Sequence, residues 1–197
     1  MQKMVYVCNR TATFNSLLSS YFVGNSPFEP DPEASGEQVS GYQLFTQFYR
    51  SWICFGSKIR FTLRNTTLSA TDTISANSMG FVLKPDRDFS STITDLNQLA
   101  QSPNARYVSL GPLAGSQSQK TVSRYMTTAK IYNYNRTKIG VDENFWGRPA
   151  AQPDNLWYWQ YHFGEDYEDP AGTTKCNYRV KIVYYVMMFS RLTDIYT

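Results

Sequence analysis

A single histidine, His162, occurs in the 197 residues, and this narrows the chemistry at once. Any histidine-dependent proton relay would have to be built on it, and metal sites needing two or more imidazoles are excluded. Flanked by Tyr161 and Phe163, it reads as a strand residue rather than a general base. The densest acidic group is Glu165, Asp166, Glu168 and Asp169. These carboxylates lack the spacing and glycine of a calcium loop, so they read first as a solvated connection and only weakly as a Ca²⁺ site. Cys8, Cys54 and Cys176 form neither a zinc pattern nor a disulfide framework, and read as buried free thiols. Neither glycine-rich phosphate motif is present. No catalytic residue, cofactor or metal is assigned, and an enzyme is the poorest reading.

Two other groups point to binding. Lys58, Arg60 and Arg64 keep even spacing, as do Arg179 and Lys181. On strands this places each set on one face. With Lys3 and Arg10 they would neutralise phosphates without reading bases. The run NLWYWQYHF from Asn155 to Phe163 is the most aromatic stretch. It could stack bases or sugars, but cores and subunit contacts use the same residues. Tyr125, Tyr132, Trp146, Trp157, Trp159 and Tyr161 are therefore expected at subunit contacts.

The elements that must position these groups are strands. Ser57, Ile59, Phe61 and Leu63 alternate with Lys58, Arg60, Thr62 and Arg64, one apolar face against one basic face, and Gly56-Ser57 suggests a bulge. Tyr178 to Phe189 repeats the pattern. Further strands are expected over 3–14, 74–84, 106–110 and 155–163, with a weaker apolar segment over 16–23. The Pro- and acid-rich run from Gly24 to Gln38 is expected to be an exposed loop. Short helices are expected over 41–50 and 91–101, the second opened by Thr92 and Asp95 in a variant capping box. Residues 120–134 read as extended and partly exposed, and 135–154 as irregular.

About eight uneven strands with long loops suggest an all-β domain of two packed sheets, a single domain over 1–197. Net charge is only +3, but no carboxylate lies between Asp95 and Asp142 or from Gln38 to Thr71. Such segregation favours an anionic partner or an acidic neighbouring subunit. No apolar run is long enough for a membrane helix, and no secretory leader is visible.

Taken in order, NSPFEPDPEASGEQVSGYQLFTQFYRS, FGSKIRFTL, SRYMTTAKIY, NLWYWQYHF and NYRVKIVYYVMMFSR resemble the capsid proteins of circovirus-like, Rep-encoding single-stranded DNA viruses. The likeness runs from about Tyr21 to the end. It implies a single jelly roll of two four-stranded antiparallel sheets. Sixty copies would close a T=1 icosahedral shell around circular single-stranded DNA held without sequence preference. It further implies residence in the virion, assembly in the host nucleus or cytoplasm, an unidentified cell-surface receptor and no membrane insertion. Such proteins usually begin with an arginine-rich arm, whereas this chain begins MQKMVYV. Either the arm was removed or lies outside this sequence, which is the favoured expectation, or the shell packages DNA through its inner surface alone, or it encloses little nucleic acid. The alternative is a non-enzymatic carbohydrate-binding jelly roll using the Trp157 to Tyr161 aromatics.

Overall fold

The structure is a computed structural model, and it describes residues 1–14, 17–34, 37–65, 78–89, 95–111, 118–165 and 174–191. One sheet joins β1 (Gln2–Phe14), β3 (Tyr49–Asn65), β6 (Gln119–Thr127) and β9 (Thr174–Arg191) in the order β1-β9-β3-β6. The two-residue β7 (Trp146–Gly147) adds to β3. The second sheet joins β2 (Leu18–Val23), β4 (Met79–Asp86), β5 (Arg106–Leu110) and β8 (Tyr158–Glu165) in the order β2-β8-β4-β5. Every pairing is antiparallel. Early and late strands alternate within each sheet, so the chain is wound between two four-stranded layers as a jelly roll.

β3 and β9 carry the fold, paired over nearly their full length from Tyr49↔Arg191 to Asn65↔Cys176. The expected bulge is present, with the register shifting between Cys54 and Gly56. Because side chains alternate with a period of two, one extra residue swaps the faces. Trp52 and Cys54 point into the core before the bulge, and Ser57, Ile59, Phe61 and Leu63 after it. Without Phe55 as the extra residue, one half of this strand would turn its apolar side to solvent.

The core is aromatic. Phe22, Phe61, Phe81, Tyr161 and Phe163 are at most 1% exposed, with Phe61 4.9 Å from Phe81 and 5.2 Å from Tyr161 between ring centroids. Polar tips of buried rings find partners, as burial requires. The Trp159 indole donates to Ser57 Oγ (2.8 Å), that of Trp52 to Tyr42 Oη (2.8 Å), and Tyr184 Oη to the Val23 carbonyl (2.7 Å).

Several expectations are corrected. The run after Gly24 is not simply an exposed loop: Gly24, Asn25, Ser26, Pro27, Pro30 and Asp31 are buried. Buried prolines leave no orphan N–H, the Val23 and Gly24 N–H groups donate to the Pro30 (2.9 Å) and Trp157 (2.7 Å) carbonyls, and Asn25 ties the segment to the chain before β8. Its amide donates to the Asn155 carbonyl (2.8 Å) and accepts from the Trp157 N–H (3.0 Å). The helix over 41–50 shortens to α1 (Tyr42–Thr46), because Tyr49 already enters β3. The next is α2 (Leu96–Ala100), capped by Asp95, whose side chain accepts from the Asn97 N–H at 2.8 Å. Thr92 lies outside the described residues.

Residues 120–134 are not extended throughout: β6 ends at Thr127, which caps α3 (Thr128–Tyr132). Nor is 135–154 merely irregular, since Asn135 caps α4 (Arg136–Val141) and a 3-10 turn follows at Glu143–Phe145. These short helices cover the outer side of Ile53, which packs with Ile139 and Phe145. α2 covers the second sheet in the same way, Leu96 and Leu99 packing on Val82.

Candidate nucleic-acid interface

The sheet β1-β9-β3-β6 contains no carboxylate in any strand. It holds two cations in β1, four in β3, two in β6 and four in β9, twelve of the chain's 19 Lys and Arg and none of its 16 Asp and Glu. Strand phase then sorts them. Lys3, Lys58, Arg60, Arg64, Arg179 and Lys181 are exposed on the face turned away from the core. Register sets Arg60 directly opposite Lys181, and Arg179 opposite Thr62 on one side and Asn9 on the other. Like charges facing each other across strands destabilise a sheet unless an anion lies over them. Among the described residues none of Lys58, Arg60, Arg64, Arg179 and Lys181 forms an ion pair.

Arg10 does not belong to this face. It shares the phase of Tyr6 and Ala12, so its guanidinium turns toward the core side and pairs with Asp31 and Glu33. Burial opposes its charge, but those two carboxylates outweigh burial and raise its pKa. Tyr6 Oη donates to Asp31 (3.0 Å) and to Glu37 (2.7 Å), completing a knot that ties the proline-rich segment to β1.

At the Arg64 end the face sinks into a shallow depression of about 420 Å³, lined by Asn9, Thr11, Thr62, Arg64, Gln119, Asn177 and Arg179, with the inward-phase residues Arg10 and Tyr178 also contributing. Most of these are cations and hydrogen-bonding groups, the types that meet phosphate oxygens. At the other end, beyond Lys58, the face becomes aromatic. Tyr125 is 51% exposed, and its ring meets that of Tyr185 edge-on at 5.6 Å. Lys58 sits directly across from Tyr125, and Lys3 lies 5.9 Å over the Tyr185 ring. Arg136, from α4, stacks 4.6 Å over Phe55.

Tyr125, expected at a subunit contact, stands exposed on this face. Trp157, Trp159 and Tyr161 are at most 1% exposed, so the contacts expected of them are corrected to core packing. Alternation on β8 turns them inward, and Thr128, Ser57 and Tyr178 satisfy their polar atoms. Tyr132 and Trp146 are half-buried within the chain itself, Tyr132 against Phe145 at 4.9 Å and Trp146 against Phe189 at 4.9 Å. Tyr185 and Phe55, both half-buried, were missed on this side of the sheet, Phe55 packing against Ile53, Ile139 and Phe145. Only the bulge assigns Phe55 its face, and a bulge residue cannot be chosen from sequence alone.

No match was found to any family model or to any curated protein. Among solved structures the chain is similar to Desmodium yellow mottle tymovirus, at a TM-score of 0.42 and 13% identity over 100% of this chain and 91% of that one. It is similar to the empty head of turnip yellow mosaic virus, at 0.39 and 12% over 98% and 85%. It is also similar to the decameric BFDV capsid protein, at 0.43 and 11% over 96% and 100%. Such low scores carry no functional weight, and the jelly roll stands on the strand order above.

The lone histidine does not front a site. His162 is fully buried, its Nδ1 2.7 Å from Ser19 Oγ, and burial followed by the nearby Lys84 lowers its pKa to about 4. Of the weak calcium candidates, Glu165 ends β8, while Asp166, Glu168 and Asp169 lie outside the described residues. Among the described residues no three His, Cys, Asp or Glu side chains gather as metal ligands. The free thiols Cys54 and Cys176 are buried and Cys8 is half-buried; burial pushes the first two up to about 12 and Cys8 to about 11.

A second recess, of about 520 Å³, opens between β2, β8 and α3. Tyr21, Phe89, Tyr132 and Tyr158 line it together with Arg87, Asp88, Asp154, Asn155 and Leu156, and Arg87 lies 4.6 Å over the Tyr132 ring.

Proposed function

We propose that this chain is a viral coat subunit whose copies close into a small icosahedral shell, sixty to a T=1 particle, around circular single-stranded DNA. The β1-β9-β3-β6 face lines the lumen. The observation that supports the assignment is the carboxylate-free sheet with its outward cations at Lys3, Lys58, Arg60, Arg64, Arg179 and Lys181, none of which forms an ion pair among the described residues. A shell lining must neutralise phosphates wherever the genome falls, which asks for charge without base reading. The subunit acts by assembly, with no chemical step. It resides in the virion after assembly in the host nucleus or cytoplasm, and its outer surface meets the cell-surface receptor.

Charge reversal tests the assignment. Lys58→Glu, Arg60→Glu and Lys181→Glu combined are expected to lower the nucleic acid recovered in purified particles several-fold, while circular dichroism and thermal midpoint stay close to the parent. Unchanged nucleic-acid content in a folded, assembled variant would refute the lumenal role of this face.

The second recess supports carbohydrate binding as the other reading. A lining that mixes aromatic rings with carboxylate and amide groups suits a pyranose, whose apolar face stacks while its hydroxyls are bound. A glycan array on the purified chain, repeated with Tyr158→Ala, separates the readings, because the sheet face plays no part in sugar capture.

A further inference from the structure

The aromatic end of the basic face suits one kind of nucleic acid. Phosphate neutralisation alone does not distinguish duplex from single strand, since both offer the same anionic backbone. Exposed rings do distinguish them, because a ring can stack only on a base that has left its pair. Tyr125 on β6 is paired to Lys58 and Tyr185 on β9 to Gly56, so the two rings meet on a diagonal across β3, where Gly56 has no side chain to part them. The two rings meet at 89°, so one can lie against a base while the other braces it edge-on. Cations flank the pair: Lys58 across from Tyr125, Lys3 above Tyr185, and Arg136 over Phe55.

We propose that Tyr125 and Tyr185 form a base-stacking platform that makes this face selective for single-stranded nucleic acid. The proposal rests on the lumenal assignment of the basic face and adds which side chains on it select the single strand. Lys58 and Lys3 hold the phosphates on either side of the stacked base. The depression at the Arg64 end takes backbone phosphate only. Selectivity therefore resides at one end of the face and non-selective attraction at the other.

The test compares oligothymidylate with a duplex of equal phosphate count, using the parent chain, Tyr125→Ala, Tyr185→Ala and Tyr125→Trp. The parent is expected to bind the single strand at least about ten-fold tighter than the duplex, and each alanine variant to lose about ten-fold for the single strand only. Tyr125→Trp retains the preference. A 2-aminopurine base in the oligonucleotide is expected to be quenched on binding the parent and not Tyr125→Ala. Equal binding of both forms, unmoved by Tyr125→Ala but lost in Lys58→Glu with Lys181→Glu, overturns the platform and leaves the basic face standing. Absence of binding to either form overturns the face and the platform together.

Discussion

Among individual residues, His162 is the clearest probe of the interior. It is neutral and fully buried on β8, between Ser19 and Val82 in register, with no hydrogen-bond partner at Nε2 among the described residues. Its pKa of about 4 lies below the ordinary value of 6.5, with burial the main cause and Lys84 the second. Between those values the unfolded chain takes up a proton that the folded chain refuses. The stability present above 6.5 is therefore lost as pH falls toward 4, about 3 kcal/mol at full extent. Denaturant unfolding of the parent and of His162→Gln at pH 7.5 and 4.5 is expected to differ in slope, the parent losing about 2 kcal/mol more. Equal losses would mean that His162 is charged or solvated in the fold.

At the scale of elements, the bulge in β3 decides which side chains reach which face. A Cβ on Gly56 would stand 2.5 Å from the Met126 carbonyl oxygen and 2.9 Å from Thr127 Cα, both backbone atoms that cannot swing aside. Gly56→Val is expected to cost about 2 kcal/mol or more in unfolding free energy. Gly140, inside α4, meets nothing within 4 Å, so Gly140→Ala is expected to be neutral or to gain up to about 1 kcal/mol. Reversal of that order in unfolding midpoints would contradict the packing at the bulge. The paired strands were legible because each buries one face, and a period of two survives in their sequences from Ser57 to Arg64 and from Tyr178 to Lys181. The bulge was legible through Gly56. α3 and α4 were not, because each is little more than one turn, too short for a helical period to repeat, and only the caps Thr127 and Asn135 signal them. The basic face was read correctly in phase except at Arg10. A lone cation in an apolar-phase position shows its partners only once Asp31 and Glu33, over twenty residues away, are folded beside it. The aromatic run on β8 misled for a related reason, since Trp157 and Trp159 satisfy their indoles inside the domain.

For the whole molecule, the account requires that copies associate through surface still open on one chain. Apolar side chains are exposed at α1, with Leu44 at 58% and Phe48 at 47%, and near the β1-β9 edge, with Met1 at 73% and Met187 at 41%. These are the types that anchor subunit contacts. Leu44→Asp with Phe48→Asp is expected to yield folded subunits that sediment as small species, because neither side chain supports the core. Retained assembly in that variant would move the contacts elsewhere on the chain. The central claim is a closed shell with the carboxylate-free sheet facing inward, and cryo-electron microscopy of the purified chain tests it most directly. The account predicts uniform hollow or filled shells in which β1, β9, β3 and β6 line the lumen, with density over Lys58, Arg60 and Lys181. Monodisperse monomers or small oligomers across salt and pH, or shells with this sheet on the outside, would contradict it.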